Sequence, residues 1–213
     1  SDKFVIDQFY VKTFDFFFKL EEFSIIFTIL CVLCLVNALN LADGINGLAI
    51  GIIFFWLIYL NNIYINNIDN LVYFIIFTNL FLIFFHNYNG KHFLGDAGSL
   101  MFSSFIAFLT IYLHNLNIKN PTYQISAESI VIIFMIPIID MLRLFFERKK
   151  NNKNPYFGDN NHLHHYLIKK YSLKTALIIY FLSLNIPIIL SFYTNVNKFV
   201  IMFSIILFFF IFL

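Results

Sequence analysis

Apolar and polar stretches alternate along the chain. Seven apolar runs, residues 23–42, 48–60, 71–85, 100–113, 130–146, 176–193 and 199–213, are separated by short polar segments. None has the period-two alternation of a barrel strand. Lipid satisfies no backbone hydrogen bonds, so runs of this kind predict helices. Several are shorter than the roughly 20 residues that cross a bilayer, and flanking residues or bent helices are expected to supply the rest. The pattern predicts an all-α fold: a polytopic transmembrane helix bundle of about seven spans, with residues 1–213 as one integral membrane domain.

Composition agrees. The 213 residues are 60% hydrophobic, include 31 Phe and carry only 12% charged residues, where a soluble domain has about 25%. Charge placement is more informative than the net charge of +2. Eight of the fourteen Lys and Arg lie between Arg143 and Lys174. An excess of Lys and Arg marks the cytoplasmic side of a membrane. With that segment inside, alternation of spans puts loops 37–47, 86–99 and 147–172 on the cytoplasmic face. Loops 61–70, 114–128 and 194–198 are then external, as is the start of the chain. The segments rich in Asp, Gly and His therefore converge on one face. Cys31 and Cys34 form C-x-x-C inside an apolar run, which reads as packing between helices and not as a redox or zinc pair.

The first polar stretch is "NALNLADGINGLAIG", residues 37–51. Asn37, Asn40 and Asp43 follow at spacing three, one helix face, and Gly44 and Gly47 permit a tight turn with close backbone approach. Polar groups within a membrane are costly and usually functional. The second is "GKHFLGDAGSL", residues 90–100. Asp96 stands between Gly95 and Gly98 at a helix start. That reads equally as an N-cap or as a phosphate site in which a carboxylate holds Mg2+. The third runs from Ile136 to Leu167, "IPIIDMLRLFFERKKNNKNPYFGDNNHLHHYL". Its basic run suits anchoring to anionic lipid. Three histidines, His162, His164 and His165, suggest either a transition-metal site or donors to diphosphate oxygens. The surrounding cations favour the diphosphate.

These stretches resemble the polyprenyl-phosphate N-acetylhexosamine-1-phosphate transferases. "NALNLADGINGLA" is similar to the family's N-A-x-N-x-x-D-G-x-D-G-L-A, "FLGDAGSL" to F-x-G-D-x-G-S, and "NPYFGDNNHLHH" to P-F-x-x-D-x-x-H-[IL]-H-H. The H-x-H-H form resembles the undecaprenyl-phosphate N-acetylglucosamine-1-phosphate transferase branch. The resemblance implies transfer of an N-acetylhexosamine-1-phosphate from a UDP-sugar to undecaprenyl phosphate, with UMP leaving, in cell-envelope polysaccharide synthesis such as that of O-antigen. It implies a multi-pass protein of the bacterial inner membrane whose site faces the cytoplasm. Asp43, Asp96, Asn40 and His164 are the implied catalytic residues. Asn37, Asn46, His162, His165 and Arg148 are the implied substrate-binding residues. Asp96 is the implied ligand of Mg2+, with Mn2+ as a substitute. The implied partners are undecaprenyl phosphate, a UDP-N-acetylhexosamine, membrane lipid and a second copy in a homodimer. Nucleic acid is not among them.

Two departures stand out. The motif's second aspartate is Asn46, and the family's Asp-Asp pair on an earlier cytoplasmic loop has no counterpart among Asp2, Asp7 and Asp15. The chain is accordingly expected to be the C-terminal part of a longer transferase of about ten or eleven spans, inactive alone. An inactive relative that binds the lipid carrier or a partner enzyme is the alternative. A divalent-cation transporter fits less well, because its acids belong at several membrane depths.

Overall fold

The computed structural model describes residues 3–63, 70–118, 126–154, 161–194 and 196–212. Parts of loops 61–70 and 114–128, and of the segment "NPYFGDNN", lie outside the described residues. Among those described, the helices are α1 (Ser24–Ala42), α2 (Leu48–Ile63), α3 (Asn70–Tyr88), α4 (Gly95–Asn117), α5 (Ala127–Lys150), α6 (Leu163–Lys170), α7 (Leu173–Tyr193) and α8 (Lys198–Phe212). Five segments are long and apolar enough to cross a membrane: Glu21–Ala42, Leu71–Tyr88, Gly95–Leu116, Ala127–Lys150 and Leu173–Tyr193. Leu48–Asn62 and Lys198–Phe210 are shorter apolar helices. The protein is thus a helical polytopic membrane protein, as the pattern predicts.

Two elements were not legible in that pattern. The first is a hairpin near the start of the chain. Strand β1 (Gln8–Val11) pairs antiparallel with β2 (Phe16–Lys19), register Gln8↔Lys19. The second is α6, an eight-residue amphipathic helix inside the histidine loop.

The core forms around α2. Leu48, Ile50, Ile52, Ile53, Trp56, Leu57 and Leu60 are all buried, so this helix is apolar all round because it is surrounded by protein. Gly51 lets it approach α7, since a Cβ there would lie 2.2 Å from Phe181 Cζ. Pro137 interrupts α5. A proline has no N–H to give the carbonyl four residues earlier, which is that of Ile133. The Trp56 indole N–H fills this gap, donating to the Ile133 carbonyl at 2.9 Å. The freed acceptor is therefore satisfied from a neighbouring helix, as the lipid interior requires.

The apolar faces of α1 and α3 turn outward, exposing Ile25, Ile29, Leu33, Phe74 and Phe81. Cys31 and Cys34 are free thiols lining an apolar cavity of about 480 Å³ beside Phe27, Leu35 and Met135. The end of the bundle remote from the polar turns is tied by the hairpin. Glu128 of α5 accepts from the backbone N–H groups of Lys12 and Thr13 at 3.2 and 3.0 Å, and the His114 ring of α4 bonds the Gln8 carbonyl at 2.9 Å.

Candidate functional site

At the other end, three turns meet. The first follows α1, whose last turn carries Asn40. The Asn40 amide donates to Asp96 Oδ1 at 3.1 Å and to Ser99 Oγ at 2.9 Å. Asp96 lies in the first turn of α4 and is exposed; Ser99, one turn on, is fully buried. One amide thus joins the ends of two spanning helices.

Asp43 caps α1 with its backbone N–H bonded to the Asn40 carbonyl at 3.1 Å. Its side chain is half-buried. Burial pushes its carboxyl up to about 6; a hydrogen bond from the Gly95 backbone opposes the rise, and the charge of Asp96 adds to it. Two carboxylates from separate motifs therefore face the same space, and their repulsion is the cost of that proximity.

The turn 43–47 rests on the loop after α3. Asn87, buried, accepts the Gly47 N–H at 2.5 Å and donates to the His92 carbonyl at 2.9 Å. Gly47 has φ +85 and Gly90 φ +68, and the Asn46 amide is 3.4 Å from where a Gly90 Cβ would stand. A side chain at either glycine is strained by its φ.

The histidine segment closes over this turn. A Cβ on Gly44 would lie 2.2 Å from His164 Nε2, so the glycine makes room for the imidazole. His162 and His164 stack with ring centroids 5.5 Å apart and planes at 8°, and His165 packs on His164 at 4.2 Å. Nε2 of His162 and Nε2 of His164 are buried without a hydrogen-bond partner among the described residues. Burial lowers His164 to about 3, helped by charge on His165 and His162 and opposed by Asp140. At neutral pH this ring is uncharged. It offers one N–H and one lone pair, not the cation that a run of histidines among lysines suggests.

Asp140 of α5 sets the position of the segment. Its Oδ2 bonds His162 Nδ1 at 2.9 Å, and its oxygens accept the Leu163 N–H at 3.1 and 3.2 Å. Arg143 donates to Asp140 Oδ1 at 3.1 Å and to the Asn161 carbonyl at 2.6 Å. A carboxylate of α5 thus caps α6 and puts the His162 proton on Nδ1, leaving the buried Nε2 as the acceptor.

The expected site residues divide. Asn40, Asp43 and Asp96 form one cluster, and His162, His164 and His165 form a second that meets the first turn at Gly44. Asn46 sits beside Gly90. Arg148 is buried in the last turn of α5. Asn37 is exposed and its amide donates to the Leu33 carbonyl of its own helix at 2.8 Å, away from Asp96. Asn87 and Asp140 organise the site without having been chosen as site residues. Asp140 stands out in the sequence by its spacing of three to Arg143 near the end of a span; Asn87 gave no such signal.

The family model for glycosyl transferase family 4 matches residues 2–114. The chain belongs to this family. The match contains the Asn40–Asp43 and Asp96 turns and ends before the histidine segment. The family's relatives include the undecaprenyl-phosphate alpha-N-acetylglucosaminyl 1-phosphate transferase of Escherichia coli strain K12, 29% identical over 161 residues, 70% of this chain and 42% of the relative. Proteins of the same name from Salmonella typhi and Haemophilus influenzae are 32% and 30% identical over 79 residues, 37% of this chain and 20% and 21% of theirs. The chain thus spans less than half the length of these relatives of family 4.

The donor set bears on a cofactor. Among the described residues no three His, Cys, Asp or Glu are grouped to hold a metal ion. Two neighbouring carboxylates, Asp43 and Asp96, with the Ser99 hydroxyl nearby are hard donors. They suit an ion that keeps several waters and takes its remaining ligands from phosphate, as Mg2+ does.

Proposed function

We propose that this chain carries the reacting groups for transfer of an N-acetylhexosamine-1-phosphate from a UDP-sugar to undecaprenyl phosphate. In this reading a lipid phosphate oxygen attacks the sugar-bearing phosphorus in line, the bond to the bridging oxygen breaks, and UMP leaves with that oxygen. The observation that carries the reading is the meeting of Asn40, Asp43, Asp96 and His164 at one end of a membrane bundle, where a lipid phosphate and a soluble nucleotide can both reach.

Asp96, with Asp43 beside it, would hold Mg2+, which when bound would neutralise charge on the phosphates. Asn40 keeps the Asp96 carboxylate oriented. His162 and His164 direct Nε2 atoms at the donor's diphosphate, with Arg148 and His165 behind them. Transfer of this type depends on positioning and charge neutralisation more than on covalent help, and rigid helix ends supply the positioning. The site faces the cytoplasm of a bacterial inner membrane in this proposal, because the lysine-rich end belongs inside.

UMP release is the test. Protein expressed from its full reading frame is reconstituted with undecaprenyl phosphate, UDP-N-acetylglucosamine and Mg2+. Asp96→Asn is expected to remove UMP release, with excess Mg2+ failing to restore it. Near-normal turnover in that variant sinks the assignment.

A further inference from the structure

Helix α6 has a second face that the transfer reaction does not use. Its inner face buries Leu163 and His164, and Leu167 packs on the core. Its outer face and the residues after it expose Tyr166, Ile168, Lys169, Lys170, Tyr171 and Lys174. Lys169 Nζ stands 5.4 Å from the Tyr166 ring centroid and Lys170 Nζ 5.6 Å from that of Tyr171. The side chains thus alternate cation and amphipathic ring, the residue types that settle at a membrane–water interface.

The chain fixes where this face lies. Only Tyr171 and Ser172 separate α6 from α7, which spans as Leu173–Tyr193. At about 3.5 Å per residue, the end of α6 stays within about 10 Å of the first membrane turn. The headgroup zone is about 5–7 Å thick on each side of the hydrocarbon. The three lysines therefore stand in or next to the headgroup zone. They are exposed, whereas His164 is buried on the inner side of α6.

We infer that the outer face of α6 docks on anionic phospholipid headgroups, and that this contact seats His164 against Gly44. Three lysines without an exposed acid between Tyr166 and Lys174 complement a negative surface, and the exposed Tyr166 and Tyr171 rings give the face interfacial anchors that a soluble anion has no use for. Because α6 carries His164 on its opposite face, lipid charge and the histidine cluster are linked through one rigid turn of helix. The role given to His164 rests on the function proposed above; the docking itself does not.

Hydrogen–deuterium exchange of residues 163–172 in nanodiscs tests it. Exchange is expected to slow about tenfold when phosphatidylglycerol is included beside phosphatidylcholine, and to speed up again at high salt. The triple substitution Lys169→Gln, Lys170→Gln, Lys174→Gln should abolish the lipid effect, and the corresponding three Arg substitutions should keep it. Equal protection in both lipids overturns the docking. So does protection that survives the Gln variant, or protection reproduced by inorganic phosphate over phosphatidylcholine alone. Lipid-dependent protection in a protein that never releases UMP supports the docking and overturns the proposed function instead.

Discussion

Gly44 and His164 are the tightest link between motifs. A methyl group on Gly44 meets the imidazole at 2.2 Å, so the buried ring must shift to admit it. Gly44→Ala is expected to lower UMP release by more than about tenfold, the loss that a misplacement of order 1 Å brings, while melting stays near that of the parent. Asp140 is a different case. It is buried and bonded to Arg143, His162 and the start of α6, so Asp140→Ala leaves the buried guanidinium with only the more exposed Glu147 carboxylate at 3.2 Å and the start of α6 without its acceptor. A loss of about 3–5 kcal/mol is expected, read as a fall in detergent-solution melting temperature. His164 adds a pH dependence. Its pKa is about 3 in the folded protein against 6.5 for the free side chain, so the unfolded chain binds the extra proton. Its contribution to stability is present above pH 6.5 and is lost as the pH falls toward 3. Asp43, raised to about 6, works in the opposite sense: its contribution is present below the ordinary carboxylate range and lost as pH rises through 6. The comparison of parent with His164→Gln isolates the histidine. In Mg2+-free buffer the parent should lose more melting temperature than the variant between pH 6.5 and 4.5; parallel curves would contradict the buried neutral ring.

At the scale of elements, α5 does two jobs. Its Pro137 turn is repaired by Trp56, and its last turns hold Asp140 and Arg143 for the histidine segment. Trp56→Phe keeps the apolar volume and removes the indole N–H, leaving the Ile133 carbonyl without that donor. A destabilisation of about 1–3 kcal/mol is expected, visible as a lower melting temperature. Since Pro137 and Asp140, which holds the histidine segment, lie on one helix, UMP release should fall with it. α6 shows why a short amphipathic helix escapes a search for spans: eight residues are too few to cross lipid, and its histidines draw attention to chemistry rather than to helix formation. The hairpin escaped for another reason. Its strands, QFYV and FFFK, are short and aromatic, and the connection between them is held by Glu128, a partner more than a hundred residues away in the chain.

For the whole molecule, sidedness is the open physical question. Cysteine labelling in intact cells, with Cys31 and Cys34 replaced by Ala, should find position 151 closed to an impermeant reagent. A cysteine at Phe14, 72% exposed on the hairpin, should be open to it. The reverse result would put the site on the face that lacks nucleotide sugars. How much of this was readable beforehand follows from range. The helical runs and the convergence of the Asp, Gly and His turns on one end are set by the hydrophobic pattern and its parity, which need no knowledge of packing; about seven spans were expected, where five helices are of spanning length and two are shorter. The residue types at Asn40, Asp43, Asp96 and His164 were legible because polar groups are rare in such a chain and stand out. Which of them touch was not, since a helix face is known from sequence only relative to its own axis. Asn37 shares spacing three with Asn40 and Asp43, yet it turns back to its own helix, because α4 packs on the face that carries Asn40. Asn87 is one asparagine among many until the fold sets it under Gly47. The uncharged state of His164 was likewise beyond reach of the sequence. The residue type permits a cation; only burial among other histidines, decided by how α6 closes on Gly44, removes the charge.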